Sequence, residues 1–389
     1  MPDADETRVV AAVLGGSALA HAAVAAWDAG EVIAPLNPAA PAAELRGLLD
    51  QLRPTHLVDA TGRHRRPDGI PAAADLAALV VTSGTTGTPK GVELTRAGME
   101  LMARGYSAGV GAGSDAHWLA CLPLHHVASL GPIARAYVMG THWTAHDSFD
   151  LERVGRAPRA EGATIVSVVP TALRRLLDAD APMHEYRCVI VGGAPCPPAL
   201  RDRAEQAGVR VVDAYGMTET WGGWALDGRP IDGVEYTLAD DDEILVRGAV
   251  VMRGYRFDPE TTAVTLDPDG WLHTGDVGAV VDGRVCVTDR TKDLVITGGV
   301  NVSPTEVEGV LGRHPDVHDV CVVGVPDDEW GERVVAVIVP TDATRPPTVD
   351  ELRAFARDEL SAPKLPREMR IVAEIPRSTG GKPLRRLLR

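Results

Sequence analysis

Apolar runs of strand length alternate with segments of helical spacing along the first 230 residues or so. The predicted strands are Val32–Leu36, His56–Asp59, Leu76–Thr82, Trp118–Leu122, Ile165–Val169, Cys188–Val191 and Arg210–Val212. The predicted helices between them are Pro41–Leu52, Leu94–Tyr106, Thr171–Leu177 and Pro198–Gln206. A strand–helix alternation of this kind predicts an α/β fold with mostly parallel strand pairing.

The segment Val9–Trp27 has no formally charged residue and invites comparison with a membrane span. It is mostly alanine, is interrupted by Gly15, Gly16 and His21, and is therefore only weakly apolar. The acidic residues that precede it do not fit a signal peptide, which needs positive charge there. The pattern predicts a buried helix.

The pattern changes after residue 230. Short strands are predicted at Glu243–Arg247, Gly278–Val281 and Arg284–Thr288, with a hairpin turn at Asp282–Gly283. This part is expected to be a smaller antiparallel section. Near the N-terminus, the polar stretch Arg63–Gly69 is predicted to be a surface loop.

A compact α+β unit is predicted from residue 293 to the end. Its helix Pro304–Leu311 follows Ser303, and Glu306 stands at the capping-box position of that helix. The other predicted elements of this unit are Asp293–Ile296, Val317–Val325, Val334–Pro340, helix Val349–Leu360 and Met369–Ala373.

Composition and charge narrow the classes of partner. The formal net charge of −15 argues against nucleic acid or an anionic membrane as the main partner, while 45% hydrophobic and 24% charged residues indicate a globular protein. The five cysteines form no C-x-x-C pair, so the sequence predicts neither a disulfide framework nor a zinc site. We expect a protein of the reducing cytoplasm.

The segment Val81–Gly91 (VTSGTTGTPKG) is the first candidate for chemistry. Its three glycines allow a sharp turn that brings backbone N–H groups close to an anion, five hydroxyls can donate to phosphate oxygens, and Lys90 adds positive charge. It is not a Walker A loop, in which Lys is followed by Ser or Thr. An ordinary polar loop after a strand remains the alternative on these residues alone.

This segment resembles the signature loop of the adenylate-forming superfamily, which includes acyl-CoA synthetases, luciferases and the adenylation domains of peptide synthetases. The resemblance implies ATP, Mg²⁺ and CoA as cofactors. It also implies an ATP- and acyl-binding domain over 1–289, a hinge at 290–292 and a lid domain over 293–389 with the catalytic lysine. The loop residues expected to bind ATP are Thr82, Ser83, Gly84, Thr85, Thr86, Gly87 and Lys90.

Two further motifs follow buried strands, and α/β folds bind ligands at the carboxyl ends of strands. The strand Cys188–Val191 runs into Gly192, Gly193 and Ala194, a turn that the resemblance places along the adenine. The second motif is Ala214–Thr220. In it Tyr215 offers a flat face for a purine, Thr218 a hydroxyl for phosphate and Glu219 a hard oxygen for Mg²⁺. The resemblance adds Gly216 and Met217 to the ATP site, and Gly192 and Gly216 to the acyl site.

The motifs Gly270–Asp276 and Asp289–Asp293 resemble the segments that bind the ribose and join the two domains in that superfamily. The resemblance implies that Asp276 accepts hydrogen bonds from the ribose hydroxyls, that Arg290 reaches the ribose and that Lys292 is the hinge residue. An aspartate in a glycine turn and an exposed charged turn are the plain alternatives.

Two motifs beyond the predicted hinge complete the match. Gly298 and Gly299 leave room for a thin chain, and in CoA-forming members the pantetheine passes there. Pro376–Arg386 resembles the segment with the catalytic lysine, so Lys382 is expected to bridge the substrate carboxylate and the ATP α-phosphate. The resemblance assigns catalytic roles also to His126, Thr218 and Glu219.

The segment Leu122–Val127 resembles the His-containing segment beside the acyl pocket, where His126 would orient the carboxylate. With the early phosphate loop and Arg135, it is similar to the short actinobacterial o-succinylbenzoate–CoA ligases of menaquinone synthesis. Two roles are open for Arg135, pairing with a second substrate carboxylate or forming a structural ion pair.

Three alternatives to that function remain open. They are a CoA ligase for another aryl or fatty acid, an adenylating enzyme that uses a carrier protein or an amine as acceptor, and a non-catalytic nucleotide-binding paralogue. The resemblance also admits a homodimer, as many members form one. Nucleic-acid binding and membrane insertion are not expected.

Overall fold

The computed structural model describes residues 6–82, 89–377 and 383–389. The chain divides into two compact units. The first comprises Met1–Cys196, Asp202–Tyr236 and Val246–His273, and the second Pro197–Arg201, Thr237–Leu245 and Thr274–Arg389.

The described residues form α-helices and strands that are numbered in chain order. The helices are α1 Gly16–Asp28, α2 Ala42–Leu52, α3 Arg96–Val110, α4 Val127–Met139, α5 Leu151–Glu161, α6 Pro170–Asp178, α7 Pro198–Gln206, α8 Pro259–Thr265, α9 Pro304–Leu311 and α10 Val349–Ala356. Short 3₁₀ turns lie at Met183–Glu185, Thr218–Thr220, Thr291–Asp293, Ala362–Lys364 and Arg385–Leu387.

The strands of the first 230 residues are β1 Glu6–Thr7, β2 Val9–Val13, β3 Val32–Leu36, β4 His56–Asp59, β5 Gly62–Arg65, β6 Ala72–Ala73, β7 Leu76–Thr82, β8 Lys90–Thr95, β9 His117–Ala120, β10 His142–Ala145, β11 Ile165–Val168, β12 Cys188–Gly192, β13 Val211–Tyr215, β14 Ala225–Leu226 and β15 Arg229–Pro230. Those that follow are β16 Glu235–Leu238, β17 Glu243–Arg247, β18 Gly254–Tyr255, β19 Leu272–Val281, β20 Arg284–Arg290, β21 Val295–Thr297, β22 Val300–Val302, β23 Val317–Asp327, β24 Gly331–Pro340 and β25 Glu368–Ile371.

Two seven-stranded sheets organise the first unit, in the orders β18-β8-β7-β3-β2-β4-β5 and β10-β9-β11-β12-β13-β14-β15. The pairs among β7, β3, β2 and β4 and those from β10 to β13 are parallel, and antiparallel pairs flank them. The central strands are apolar and mostly buried, as is typical of strands covered on both faces. The predicted α/β class with mostly parallel sheets is confirmed.

The second unit is built around an antiparallel hairpin of its two longest strands, β23 and β24. Strand β24 also pairs with β21 and, in parallel, with β25. Helices α9 and α10 contribute Val307, Leu311 and Leu352 to the core on one face of this sheet. The α+β character predicted for this part is confirmed. Strands β16, β17, β19 and β20 form a further four-stranded sheet, which matches the predicted antiparallel section.

The structure corrects the prediction of one helix over Val9–Trp27. Val9–Val13 is strand β2 in the middle of the first sheet, and only Gly16–Asp28 is helical. The break occurs at Gly16, whose φ of +44° favours glycine and where a Cβ would lie 1.8 Å from Oδ1 of Asp147. Within the described residues, no helix is long and apolar enough to cross a bilayer.

Several element boundaries also differ from the predictions. The predicted loop at 63–69 begins as the exposed edge strand β5, which pairs with β4 through a turn in which Asp59 accepts a hydrogen bond from the Thr61 N–H at 2.8 Å. Helix α3 begins at Arg96 because Thr95 caps it. Residue 293 belongs to a 3₁₀ turn, and α10 ends at Ala356.

The predicted cap of α9 is only half of a capping box. The Ser303 hydroxyl oxygen accepts a hydrogen bond from the Glu306 N–H at 3.1 Å. The Glu306 carboxylate does not return to the Ser303 N–H, because it pairs with Lys364 at 2.6 Å. The reciprocal box occurs instead at the start of α10, between Thr348 and Glu351.

Candidate active site

Several candidate residues of the first unit meet at one edge of its second sheet. The turn Gly192–Ala194 lies at the end of β12, Tyr215 ends β13, and His125 and His126 follow β9. These strands run parallel, so their carboxyl ends lie on the same side of the sheet. This is the edge at which α/β sheets bind ligands. The structure therefore brings together three motifs that are far apart in the sequence.

The turn after β13 is held by its own hydrogen bonds. The Thr220 hydroxyl accepts from the Met217 N–H and donates to the Met217 carbonyl, both at 3.1 Å. The Trp221 indole N–H donates to the Thr95 carbonyl at 3.0 Å. Thr218 and Glu219 thus stand on a rigid 3₁₀ turn, and the ring of Tyr215 packs edge-to-face on Trp224 with centroids 5.2 Å apart.

Glu219 is linked to Lys90, one of the candidate ATP-binding residues, through Tyr255. The Tyr255 hydroxyl donates to Oε1 of Glu219 at 2.8 Å, and Nζ of Lys90 lies 5.1 Å from the centroid of the Tyr255 ring. Burial, followed by the charge of Glu219, raises the pKa of the Tyr255 phenol, which therefore stays protonated and can donate. Tyr255 was not among the residues predicted from the sequence.

Two glycines of the site lie in close contact with neighbouring atoms, Gly216 with backbone and Gly223 with a side chain. A Cβ at Gly216 would lie 2.3 Å from Cα of Gly223, and one at Gly223 would lie 1.7 Å from the Tyr106 hydroxyl. No larger residue fits at either position without movement of the chain. Gly192 is less constrained, because its nearest neighbour is the Ala214 carbonyl at 3.2 Å.

Arg135 lies on α4 and is almost completely buried, with an exposed fraction of 4%. Its guanidinium carbon lies 3.8 Å from the centroid of the Tyr106 ring and 5.3 Å from that of Trp118, and its Nε contacts Sδ of Met102 at 3.3 Å. Its Nη1 has no hydrogen-bond partner in the part of the chain that the structure describes. Burial lowers the pKa of Arg135 to about 10, so the side chain is still a cation at neutral pH.

No carboxylate of residues 6–82, 89–377 or 383–389 pairs with Arg135. A structural ion pair, one of the two roles open from the sequence, is therefore absent from the described part of the chain. Leaving a buried guanidinium unpaired is costly, whereas an arriving anion would compensate its charge.

The two neighbouring histidines are partly buried, with ring centroids 4.3 Å apart. Burial, with a contribution from the neighbouring imidazole, lowers the pKa of His125 to about 4. Burial also lowers the pKa of His126, which is the N-cap residue of α4. Both rings are neutral at pH 7, and a neutral His126 can accept or donate a hydrogen bond beside a carboxylate.

Acidification is expected to lower the free energy of unfolding between pH 6.5 and about 4. An unfolded histidine has a pKa near 6.5, whereas the pKa of folded His125 is about 4. Between these two pH values the unfolded chain therefore binds a proton that folded His125 does not bind, and this favours unfolding. Above pH 6.5 both states are neutral and the stability is unaffected. Thermal unfolding of the His125→Asn variant should therefore depend less on pH over this window.

The exposed residue His184 supplies the matched control for this experiment. The His184→Asn variant should retain the pH dependence of the unchanged protein. An unchanged slope in the His125→Asn variant would contradict the assignment.

In the second unit, Asp276 and Arg290 face each other across the β19–β20 pair. The Arg290 Nε lies 2.9 Å from Oδ1 of Asp276, which is 4% exposed. The two predicted ribose ligands are thus neighbours, although they are separated by a hairpin in the sequence. Lys292 lies in the exposed 3₁₀ turn that follows β20.

Gly298 and Gly299 form the turn between β21 and β22, with φ values of +57° and +78°. The Gly298 N–H donates to the Trp330 carbonyl at 2.8 Å, and a Cβ on Gly298 would lie 3.0 Å from the Trp330 ring. The space beside Gly299 is open. The turn therefore approaches an indole closely at Gly298 and is open at Gly299.

Seven residues singled out from the sequence lie outside the described residues: Ser83, Gly84, Thr85, Thr86, Gly87, Thr88 and Lys382. The residues next to them are described. Thr82 and Lys90 are paired across β7 and β8, and Arg377 and Pro383 form an isolated antiparallel bridge.

Comparison with known proteins decides the family. Residues 59–256, more than half of the chain, match the family of AMP-binding enzymes, and residues 306–382 match the C-terminal domain of those enzymes. The chain belongs to the AMP-binding enzymes. The predicted superfamily and the predicted class, an AMP-forming ligase, are confirmed.

Two of the proteins to which this AMP-binding enzyme is similar carry the name of the same activity, the ligation of 2-succinylbenzoate to CoA. The probable 2-succinylbenzoate–CoA ligase of Mycobacterium tuberculosis strain H37Rv is 38% identical over 319 residues, which are 79% of this chain and 82% of that one. The o-succinylbenzoate CoA synthetase of Bacillus subtilis with its acyl-adenylate intermediate is 27% identical, with a TM-score of 0.85, over 99% of this chain and 89% of that one.

A structure of the same Bacillus subtilis enzyme with ATP and magnesium ion is 26% identical, with a TM-score of 0.85, over 99% of this chain and 90% of that one. ATP-bound MatB from Rhodopseudomonas palustris is 27% identical, with a TM-score of 0.88, over 98% of this chain and 88% of that one. The two enzymes are about equally similar to this chain in fold, so the fold alone does not decide between them.

Proposed function

We propose that this enzyme activates a carboxylic acid that carries a second carboxylate, and transfers the acyl group to CoA. The acid that fits best is o-succinylbenzoate, which would place the enzyme in menaquinone synthesis. The observation that supports this most directly is the buried Arg135 with no carboxylate partner in the described residues. The names of the relatives supply independent support.

Arg135 suits a second carboxylate better than it suits a structural role. The guanidinium lies against the rings of Tyr106 and Trp118, and its Nη1 has no hydrogen-bond partner among the described residues. A planar guanidinium with unused N–H groups matches a carboxylate in geometry and charge. Arg135 would thus bind the carboxylate that does not react, while His126 at the start of the same helix orients the one that does.

The ATP site would combine backbone donors with aromatic and hydroxyl groups. The loop Thr82–Gly87 and Lys90 would hold the phosphates that leave, Tyr215 and the turn Gly192–Ala194 would contact the adenine, and Gly216, Met217 and Thr218 would contact the adenosine phosphate. In the second unit, Asp276 would accept hydrogen bonds from the ribose hydroxyls. Arg290, whose Nε lies 2.9 Å from that carboxylate, would orient it and reach the ribose as well.

The donor set at Glu219 fits Mg²⁺. The described residues hold no cluster of three or more His, Cys, Asp or Glu side chains that could cage a metal. Mg²⁺ bound to ATP needs no such cage, because it takes one or two carboxylates together with phosphate oxygens and waters. Glu219 would supply one carboxylate, which Tyr255 orients. When bound, the ion would neutralise phosphate charge.

The reaction would proceed in two steps. In the first, an oxygen of the substrate carboxylate attacks the α-phosphorus of ATP, the bond to the β-phosphate oxygen breaks and pyrophosphate leaves. In the second, the CoA thiolate attacks the acyl carbon and AMP leaves. Lys382 would neutralise charge on the attacking carboxylate and the α-phosphate in the first step. Gly298 and Gly299 would admit the pantetheine in the second.

Domain organisation and setting complete the proposal. The ATP- and acyl-binding domain would span residues 1–289 and the lid domain residues 293–389, with Lys292 as the hinge residue between them. The two steps would use different lid orientations, because Lys382 and the Gly298–Gly299 turn both follow the hinge in the sequence. We propose a cytoplasmic enzyme, in keeping with a sequence that predicts no disulfide framework, and a homodimer.

Carboxylate-dependent exchange of pyrophosphate into ATP tests the proposed function. We expect exchange with 2-succinylbenzoate and, at equal concentration, at least ten-fold less with 4-oxo-4-phenylbutanoate, which keeps the succinyl arm but lacks the ring carboxylate. Mass spectrometry after addition of CoA should show the acyl-CoA.

Other outcomes of this experiment point to specific alternatives. Equal exchange with both acids would contradict the proposal that the enzyme recognises a second carboxylate on its substrate. Exchange without an acyl-CoA product would favour a carrier protein or an amine as the acceptor. No exchange across a broad panel that includes malonate, benzoate and fatty acids would favour a nucleotide-binding protein without catalysis.

A further inference from the structure

The carboxylate of Asp289 joins residues that lie on opposite sides of the proposed hinge. Its Oδ2 accepts a hydrogen bond from the Ser303 hydroxyl at 2.8 Å and another from the Thr305 N–H at 2.9 Å. Asp289 is the last residue of the proposed ATP- and acyl-binding domain, whereas Ser303 and Thr305 lie in the proposed lid. The two bonds therefore connect these domains by a route that does not pass through residues 290–292.

This contact is buried and lies at the start of helix α9. The exposed fractions of Asp289 and Ser303 are 6% and 9%. Ser303 is the N-cap residue of α9, and its hydroxyl proton is shared between Oδ2 of Asp289 and the Thr288 carbonyl at 3.0 Å. The Thr305 N–H belongs to the first turn, whose N–H groups have no partner inside a helix. Asp289 thus supplies a second cap to α9 from outside the proposed lid.

Both sides of the contact are held by ordered elements. Asp289 is paired with Val277 across β19 and β20, and its Oδ1 accepts a hydrogen bond from the Arg290 N–H at 2.7 Å. On the other side, Val302 and Val307 flank the cap of α9 and belong to the hydrophobic core below it. The contact therefore joins a strand to a helix, and neither partner is part of a loose loop.

We propose that the bonds from Ser303 and Thr305 to Asp289 form a latch that holds the lid in one of its two orientations. This rests on the proposed function, in which the lid turns at Lys292 between the two steps. Rotation at residues 290–292 carries Ser303 and Thr305 away from Asp289, and hydrogen bonds of this length are lost after a displacement of about 1 Å. The latch opens each time the lid turns. Its residues act through the orientation of the lid, so they are positioning residues.

The chemistry of the contact suits a latch that opens during turnover. Hydrogen bonds to a carboxylate are stronger than those between neutral groups, so the latch favours one orientation. Water can replace both donors when the contact opens, so the latch shifts the balance between the orientations and does not prevent the rotation. Loss of a bond of this kind is expected to change the ratio of the two orientations by about ten-fold.

Distances between two spin labels, one on each proposed domain, measure this ratio directly. The exposed residues Arg104 on α3 and Arg313 after α9 are suitable positions, in the form of the changes Arg104→Cys and Arg313→Cys. The changes Cys196→Ser and Cys286→Ser remove the two native cysteines that are not buried. The background protein should fold and adenylate as the unchanged enzyme does.

In the ligand-free protein, Asp289→Asn and Ser303→Ala should each change the ratio of the two distance populations by about ten-fold, toward the orientation without the latch. Asparagine keeps the size of the aspartate but removes its charge, and alanine removes the hydroxyl donor. The same ratio in both variants as in the unchanged protein would overturn the latch.

Thr348→Ala is the matched control, because Ser303→Ala also removes the N-cap hydroxyl of α9. The Thr348 hydroxyl caps α10 in the same compact unit, where it accepts a hydrogen bond from the Glu351 N–H at 3.3 Å. Thr348→Ala should lower stability in a similar way and leave the distance ratio unchanged. An equal shift in Thr348→Ala would assign the effect to the lost cap and overturn the latch.

The two half-reactions give a second readout that general damage would not reproduce. In Asp289→Asn the rate of one step should fall and that of the other should not, so that the ratio of pyrophosphate exchange to thioester formation changes by about ten-fold. Equal losses in both steps would overturn the latch. A shifted distance ratio in a protein that adenylates no acid would support the latch as a property of the lid and overturn the proposed function. Normal acyl-CoA formation with an unshifted ratio would do the reverse.

Discussion

Replacing Lys382 by alanine is expected to lower the rate of adenylation by a factor on the order of 10²–10³. The attacking carboxylate and the α-phosphate are both negative, and their approach raises the local charge. In the proposed mechanism Lys382 would stabilise this charge more in the transition state than in the bound reactants, so the loss should appear in kcat. Pyrophosphate exchange with 2-succinylbenzoate measures it.

The second half of the reaction serves as the internal comparison. Thioester formation from preformed acyl-adenylate and CoA should stay within a few-fold in Lys382→Ala, because no pyrophosphate leaves in that step. Lys364→Ala is a matched control, since Lys364 forms an ion pair with Glu306 in the same unit. Equal loss in both half-reactions would refute the division of labour assigned to Lys382.

Arg135→Met is expected to change activity and stability in opposite directions. Removing the guanidinium would leave the second carboxylate of the substrate desolvated without a partner, which costs about 2–5 kcal/mol, so kcat/KM for 2-succinylbenzoate should fall by about 30- to 5,000-fold. Without substrate, methionine removes an unpaired buried cation and keeps apolar contacts with Tyr106 and Trp118. The unfolding temperature of the ligand-free protein should therefore rise.

Activity with 4-oxo-4-phenylbutanoate separates charge recognition from general damage. This acid lacks the ring carboxylate, so Arg135→Met should change its kcat/KM by less than about three-fold. Arg104→Met, at an exposed position of α3, should alter neither the kinetics nor the unfolding temperature. A drop in unfolding temperature together with equal losses for both acids would show that Arg135 is structural.

Motifs in the sequence were sufficient to place the pieces of the site that depend on local chain geometry. The buried strands Val32–Leu36 and Cys188–Gly192 are almost continuous apolar runs, and the turns after β12 and β13 follow directly from them. The β19–β20 hairpin was predicted from its turn Asp282–Gly283. The strand register of that hairpin places Asp276 opposite Arg290.

Contacts between distant residues could not be predicted in this way. The partner of Glu219 is Tyr255, 36 positions later, and nothing in Gly254–Tyr255 indicates chemistry by itself. The burial of Arg135 depends on Tyr106 and Trp118, which belong to a different helix and to a strand. Helical spacing also failed over Val9–Val13, because alanine and valine in a short run fit a buried strand equally well.

Two ion pairs of the C-terminal segment show a similar limit. Arg377 and Arg385 read in the sequence as charges of a C-terminal segment, and only the fold shows that Asp319 and Glu308 meet them. A capping box was the more visible signal at the start of α9. The structure gives Ser303 a further contact, because its hydroxyl donates to Asp289 at 2.8 Å.

Buried Arg256 has a consequence for the order in which the first unit folds. Its guanidinium donates to the Leu52 carbonyl at 2.7 Å and the Ile70 carbonyl at 2.6 Å, and the preceding strand β18 forms the edge of the first sheet beside β8. These contacts join positions about two hundred residues apart, and contacts of such long range form slowly. During synthesis, β8 has no partner on its outer side until β18 and residue 256 have left the ribosome, so the first sheet has an open edge until then. Nascent chains that stop before β18 should therefore be the species most prone to aggregate and most in need of chaperones.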